Sequence, residues 1–445
     1  MIVGAGPVAD VAERIRAFSR ASPAVRLTAA GGSPIVRADN NCGVVADVRK
    51  IDLTNFQVAT SETARQINRR IALNFLRRHQ PMSRADLARR SGLQRSTVSA
   101  IVDQLIGEGW VTEGAIGRAP RGRRPRFLHL NVERAGIIAV DLRPETTTIG
   151  LSGVDARFVM QTAWRTPRQP AEFVRELSRT VAQFRRVHPQ MVCEGVGVSL
   201  PGRVDSSGRL VFAPNLGWTE VNLLREIEAA VKLPVVLENA ANACALAELW
   251  FGGHPERVRH LIAVTVSEGI GVGLLVNGQI VHGGTAMAGE FGHVTIDENG
   301  PQCPCGKRGC WERYASNSAA AQYYASQTAT KAPGSPHPVR FEDVLRSADQ
   351  GDAHAVRALE RMAESLGAGL AMLATGLAPD VIVIVGEVTG AWRRVGPIVS
   401  DVMTRRSLPA LAATRIVPTD LAMQPRLRGA ATLVVQQHFG APNVA

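Results

Sequence analysis

His293, Cys303, Cys305 and Cys310 place one imidazole and three thiols within eighteen residues, with glycines at 306 and 309 where a loop must fold back. A histidine with three cysteines is a closed set of four ligands, which suits a structural, tetrahedral Zn²⁺. Three of the six cysteines of the chain are gathered here, a clustering that buried core thiols, the ordinary alternative for free cysteine, do not explain. Two carboxylates flank the set: Glu290, three residues before the histidine, and Glu312, two residues after the last thiol. Carboxylates and an imidazole N–H held still by a metal knot suit the hydroxyls of a sugar, each of which both donates and accepts. Support of the metal loop is the other role open to Glu290 and Glu312.

The elements that must position this loop are legible in the remaining sequence. The 445 residues, 45% of them hydrophobic, suffice for two or three domains with real cores. Cys42, Cys193 and Cys244 are scattered, so no disulfide framework is expected and a reducing cytoplasm fits. The first residues lack the charged region and continuous apolar run of a secretion signal, since Arg14, Arg16 and Arg20 interrupt them. The longest apolar region, 366–385, is broken by Pro379-Asp380. It reads as a helix end followed by a buried strand, so no membrane partner is expected.

Charge is unevenly placed. Of the formal net charge of +12, residues 61–135 carry +9, from 15 Arg against 6 Asp or Glu, while residues 1–60 carry +2 and the rest of the chain +1. A basic module on a near-neutral body implies a polyanionic partner for the module alone. Residues 1–58 show no sustained period, apart from a possible short helix over 8–18, and read as a disordered extension or an upstream start codon. Ile67, Ile71 and Phe75, widened by Leu76, then predict a helix beginning near Thr63. Ser83 caps a short helix over 84–90, Ser91-Gly92-Leu93 turns, and a third helix over 94–108 carries Val98, Ile101, Val102 and Leu105 inward. Strands over 110–112 and 126–130 flank a hairpin holding Arg118, Arg121, Arg123 and Arg124. This is the layout of a winged helix-turn-helix over residues 59–131. Gln94, Arg95, Ser96, Thr97 and Ser99 then face the major groove of a double-stranded DNA operator, and the four wing arginines hold phosphates or enter the minor groove. A winged helix that binds protein instead is the alternative.

From Gly136 the pattern changes to buried strands alternating with helices: strands over 137–141, 148–151, 196–200, 235–237, 261–266, 271–276 and 381–385, and a helix over 173–186. The expected class is α/β, two-lobed. The run Gly289-Glu290-Phe291-Gly292-His293, with Cys303-Pro304-Cys305-Gly306-Lys307-Arg308-Gly309-Cys310-Trp311-Glu312, resembles the signature of the ROK family of repressors and sugar kinases. Ser83-Arg84-Ala85-Asp86-Leu87-Ala88, Ser96-Thr97-Val98-Ser99 and Gly122-Arg123-Arg124-Pro125 resemble the DNA-binding module of its repressors, with Arg121 where a further glycine is frequent. The resemblance runs from about residue 60 to a C-terminal helix near 429–438. It implies an actin-like, ribonuclease-H-like fold over 132–445 with the zinc loop at 293–312, and a sugar cleft between the lobes. Asn215, Asn239, Glu290, His293 and Glu312 would contact the sugar. Trp218 offers either a stacking face for a pyranose ring or a core packing role.

Four departures bear on catalysis. The Gly-Gly-Thr phosphate loop of the kinases is replaced after Asp141 by Leu142-Arg143-Pro144-Glu145, and their catalytic Asn-Asp pair by Asn239-Ala240, whose methyl accepts no proton. Glu268 stands in the second phosphate loop, where its charge repels phosphate, and Glu387 replaces a glycine expected against adenosine. The expectation is therefore a cytoplasmic, sugar-responsive regulator, a repressor by resemblance, assembled as a homodimer or homotetramer and lacking kinase activity. An ATP-dependent sugar kinase with an appended DNA-binding module, or a ligand-independent architectural DNA-binding protein, stands as the alternative.

Overall fold

The computed structural model describes residues 60–116, 126–205, 207–213, 216–218, 221–255, 257–328, 339–411 and 413–440. The N-terminal extension, the arginines of the wing at 118, 121, 123 and 124, and Asn215 lie outside the described residues.

The chain opens with a helical module. Helix α1 (Ser61–His79) is capped by Thr60, whose hydroxyl accepts from the Thr63 backbone, and ends in Arg77, Arg78 and His79, which suit the negative end of the helix. Strand β1 (Met82–Ser83) leads into α2 (Arg84–Ser91), where Ser83 and Asp86 form a reciprocal capping box, and Gly92 closes the helix at φ +73°. Helix α3 (Arg95–Gly107) buries Val98, Ile101, Val102 and Leu105 as expected. Strands β2 (Val111–Ile116) and β3 (Arg126–Leu130) pair antiparallel, and β1 adds to the other edge of β3.

Two details differ from the sequence reading. The buried face of α1 centres on Ala72, Leu73 and Leu76, while Ile67, Ile71 and Phe75 are only half-buried. The helix faces two partners, its own module and the C-terminal helix of the body, so no single stripe is sealed. The strand expected over 110–112 begins one residue later, with Trp110 packed outside it against His438 and Phe439.

Two five-stranded mixed sheets follow. The first comprises β4 (Ala135–Leu142), β5 (Thr146–Ser152), β6 (Phe158–Arg165), β7 (Val192–Leu200) and β10 (Val235–Asn239), in the order β10-β7-β4-β5-β6. Helices α4 (Pro170–Val187) and α5 (Leu223–Val231) belong to this lobe, as does a short ribbon of β8 (Arg203–Val204) and β9 (Leu210–Phe212). After α6 (Ala240–Phe251), the second sheet comprises β11 (Leu261–Val266), β12 (Ile270–Val276), β13 (Gln279–Ile280), β14 (Val381–Val385) and β15 (Arg415–Pro418), ordered β13-β12-β11-β14-β15. From β10 and from β15 the pairings run parallel, parallel, antiparallel, antiparallel in both sheets. The lobes are thus two copies of one plan.

The second lobe adds α7 (Glu312–Ala315), α8 (Asn317–Gln327), α9 (Phe341–Asp349), α10 (Ala353–Leu377) and α11 (Trp392–Arg406). The apolar run over 366–385 divides as expected, into the end of α10 and the buried strand β14. Among the described residues no helix is long and apolar enough to cross a membrane.

The last helix, α12 (Pro425–Phe439), packs on β4, β7 and α6. Its Leu427, Ala430, Val434 and Phe439 join one continuous core with Leu73 and Leu76 of α1 and Leu105 of α3. Arg70 donates to the Gly440 carbonyl at 2.8 Å and Asn74 to the Phe439 carbonyl at 2.6 Å. These are two bonds of roughly 1 kcal/mol each net, or more for the charged donor. The N-terminal module is therefore fastened to the end of α12.

Candidate functional site

The cleft is built at the carboxyl ends of the central strands, where α/β sheets ordinarily hold ligands. Asp141 ends β4 opposite Ser199 of β7, and Asn239 ends β10 opposite Leu200. Thr265 and Ser267 at the end of β11, and Glu387 after β14, come from the second lobe. Residues of both lobes, among them Arg143, Arg203, Ala240, Glu268, Glu290, His293, Glu312 and Arg426, line about 110 Å³ of free space.

Glu290 and His293 sit at the two ends of a single 3-10 turn (Glu290–His293), whose three-residue period stacks them on one side. The imidazole works in two directions. Nδ1 lies 3.6 Å from Cys303 Sγ, and Nε2 lies 3.7 Å from a Glu290 carboxylate oxygen facing the cleft. Cys305 and Cys310 sulfurs are 3.6 Å apart, and the four donor atoms of His293, Cys303, Cys305 and Cys310 all lie within 4.8 Å of one another. A tetrahedral zinc with Zn–S near 2.3 Å requires donor separations of about 3.5–3.8 Å, so the set fits that ion with little movement. Burial pushes the Cys303 and Cys310 thiols up, and a cation among them is what would offset the cost of ionising both.

The loop that carries these donors is fixed by its backbone. Gly309 adopts φ +61°, and a Cβ there would lie 1.5 Å from the Asp297 carbonyl oxygen, so only glycine lets the two arms close. Trp311 is fully buried and donates Nε1–H to the Ser365 carbonyl of α10 at 2.8 Å. Gly369 makes room for its ring, since a Cβ at 369 would fall 1.9 Å from an indole carbon. The knot is thereby pinned to the core of the second lobe, and Glu312 follows directly. One oxygen of that carboxylate lies 3.1 Å from Cys303 Sγ, and the other accepts from the Ile270 backbone at 3.4 Å.

Glu290 also has a partner that the sequence reading missed. Arg203, 3% exposed, donates Nε–H to Glu290 at 2.6 Å and Nη2–H to the Ala288 carbonyl at 2.6 Å. The available signal was its place in Pro201-Gly202-Arg203-Val204, directly after the buried strand expected over 196–200. Asn239 is brought to the cleft but already has roles in holding it. Its carbonyl oxygen caps α6 by accepting from the Ala241 backbone at 2.8 Å, and its amide donates to the Gly202 carbonyl at 2.9 Å. Trp218 is core: 4% exposed, it donates to the Arg168 carbonyl at 3.0 Å and packs on Phe173 at 5.3 Å between ring centroids.

Two of the positions expected to depart from the kinase pattern, Arg143 and Glu387, meet in space. Arg143 donates Nε–H to Asp141 at 3.1 Å and Nη1–H to Glu387 at 3.0 Å, joining the two lobes. Arg426 of α12 donates to the other Asp141 oxygen at 2.9 Å, and Asn317 to the other Glu387 oxygen at 3.0 Å. Burial alone would lower the Arg143 guanidinium, but Asp141 and Glu387 outweigh it and hold the group above its ordinary value. Ala240 is buried at the cleft floor, and Glu268 is exposed on its rim.

On the module, Gln94, Arg95 and Ser96 are exposed at the start of α3, with Thr97 and Ser99 half-buried beside them. Arg84 ties that helix to the hairpin, pairing with Asp103 at 2.7 Å and Glu113 at 2.8 Å.

Comparison with known proteins agrees with this arrangement. The ROK family signature matches residues 137–437. The chain belongs to the ROK family. A MarR family match covers residues 67–124, the winged helix of this ROK protein. The xylose repressor of Bacillus spizizenii is 29% identical over 386 residues, covering 86% of this chain and 98% of its own. The glucokinase of Thermotoga maritima is 29% identical over 320 residues, covering 68% of this chain and 98% of its own. Among solved structures, a ROK family transcriptional regulator, a homolog of the E. coli MLC protein, superposes with a TM-score of 0.73 at 24% identity, covering 85% of this chain and 98% of its own.

Proposed function

We propose that this chain is a sugar-responsive, DNA-binding transcriptional repressor without kinase activity. The observation that carries the reading is the Arg143–Glu387 ion pair, which spans the lobes with the side chains that stand at two kinase nucleotide positions. Family resemblance to repressors that extend over both the winged helix and the body supports it. In this reading residues 59–131 form the DNA-binding module and 132–445 the sugar-binding body. Gln94, Arg95, Ser96, Thr97 and Ser99 read base edges, with Arg118, Arg121, Arg123 and Arg124 on the backbone or in the minor groove.

Glu290, His293 and Glu312, with the free N–H of Asn239 and with Asn215, take the hydroxyls of the sugar. Arg203 holds Glu290 aimed into the cleft by donating to one of its carboxylate oxygens. His293, Cys303, Cys305 and Cys310 would hold a structural zinc, whose contribution is to fix the imidazole and the two flanking carboxylates. Sugar binding acts on DNA only if it favours one lobe arrangement over the other. Helix α12 carries that difference: its first turn holds Arg426 on Asp141 in the cleft, and its last turn holds α1. Two-fold assembly presents two modules to paired half-sites.

The deciding experiment is selection of source-genome fragments by the purified protein at physiological salt. A shared two-fold motif, released by a sugar, is expected; fragments without a motif and lost as salt rises would sink the reading. In parallel, ATP turnover on a pentose and hexose panel is expected to be absent. Turnover abolished by Glu290→Ala would establish the glucokinase-like alternative.

A further inference from the structure

An unassigned groove lies at the junction of the winged helix and the body. It encloses about 850 Å³, within the range of pockets for small molecules, and such sites favour boundaries between modules. Arg77 of α1 and His129 of β3 line it from the DNA-binding side. Asp155 and Arg157 of the β5–β6 turn, Phe251 at the end of α6 and Arg428 of α12 line it from the body.

Its arginines are unusually short of counter-charge. Arg77 lies over the Trp250 ring at 4.7 Å and donates to the Trp250 carbonyl at 3.0 Å, while its Nε–H is buried with no acceptor. Burial, reinforced by Arg78, pushes its guanidinium down to about 10. Arg428 lies over the opposite partner, Phe251, at 5.2 Å, and burial lowers it too against the pull of Glu248 and Asp155. Neither arginine is ion-paired among the described residues; Asp155, 3.6 Å from Arg157, is the carboxylate of the groove. Three guanidiniums line the groove against one lining carboxylate, with Glu248 behind Arg428, which leaves a surplus of positive charge. A buried cation without its partner is costly, and aromatic faces offset only part of that.

We propose that this groove is a second effector site, taking a phosphorylated small molecule through Arg77, Arg157 and Arg428. A dianionic phosphate matches the surplus charge, and guanidinium forks match its oxygens. The aromatic and aliphatic walls at Phe251, Phe158 and Leu130 suit a compact metabolite body. Such a ligand would bridge α1 to α12 and clamp the DNA-binding module to the body. Arg428 lies in the same opening turn of α12 as Arg426, which is bonded to Asp141 in the interlobe cleft. The two sites therefore share one helix turn and would report to each other. The site stands on its own geometry; only its consequence for transcription rests on the repressor reading.

The test is calorimetric titration of the full chain with fructose 1,6-bisphosphate, glucose 6-phosphate and inorganic pyrophosphate, with glucose and sulfate as controls. At least one phosphorylated probe is expected to bind, about tenfold or more weakly in Arg77→Gln and Arg428→Gln, and with unchanged affinity in Glu290→Gln. Arg157 is exposed on a turn, so Arg157→Gln keeps the test valid should a more buried variant fail to fold, and it too should weaken binding. Three results would overturn the proposal. One is no phosphorylated probe binding at millimolar concentration. Another is binding that Glu290→Gln abolishes and the arginine variants spare, which would place the ligand in the sugar cleft. The third is arginine variants that lose only duplex DNA, which would make the groove a rest for DNA phosphates.

Discussion

Neutralising Glu387 tests whether side chains now hold the lobes together. Glu387→Gln keeps the shape and the hydrogen bond from Asn317 but removes the charge facing Arg143 at 3.0 Å. Two unit charges about 4 Å apart interact by about 4 kcal/mol at an effective dielectric of 20. The side chains of Arg143 and Glu387 are 34% and 27% exposed, so solvent reduces the net coupling to about 1 kcal/mol. Arg143→Gln costs more than Glu387→Gln, because it also strips a bond from the buried Asp141. The double variant should therefore be about 1 kcal/mol more stable than the sum of the single losses implies. The assay is a double-mutant cycle in urea unfolding, repeated at 1 M salt, where the coupling should shrink. If the pair stabilises a closed, sugar-holding arrangement, Glu387→Gln also weakens sugar binding by about fivefold, the same energy expressed as an equilibrium. Additive single effects, with sugar affinity untouched in both variants, would refute the idea that this ion pair governs closure.

Other consequences follow from the same geometry. Elemental analysis should find one zinc per chain, and Cys305→Ser should lower both the melting temperature and sugar affinity while leaving the winged helix folded; metal-free protein with full sugar affinity would contradict the knot's role. Arg95→Ala should cost about 1–3 kcal/mol against the selected operator and little against random DNA, measured at fixed salt. His282 lies 2.7 Å from Glu238, and that hydrogen bond raises the imidazole above its ordinary 6.5. Glu238 is held below 4.5 despite its burial, through His282 and Asn242. The histidine contribution is thus complete below pH 6.5 and lost as pH rises through its raised value. The glutamate contribution is present above pH 4.5 and lost as pH falls. His282→Gln should therefore lower the melting temperature between pH 4.5 and 6.5 and flatten the slopes on either side of that window, and an unchanged profile would remove the pair from any account of stability.

The sequence was most legible where chemistry demanded particular residue types. Four candidate metal ligands, the Ser83 cap before α2, and the apolar runs of β4 and β14 were readable because each requirement is local. The cleft floor was readable only through family resemblance, since nothing in Asp141, Arg143 and Glu387 announces that 244 residues of chain separate partners in one ion pair. Arg203 was hidden for a similar reason. An arginine in a loop reads as exposed, and its burial against Glu290 depends on how β8 meets the turn before the metal loop. The face of α1 was misjudged because part of its cover is supplied by α12, from far along the chain.

That last dependence gives α12 a temporal meaning. Synthesis proceeds at roughly 5–20 residues per second, so the winged helix is complete tens of seconds before the helix that clamps α1 through Phe439 and Gly440 is made. For that interval the nascent chain carries a folded DNA-binding module with part of its core bare, at Leu73, Leu76 and Trp110. Until the final helix docks, the module can grip DNA but hears nothing from the cleft. In the proposed reading, response to the effector waits on α12 being in place.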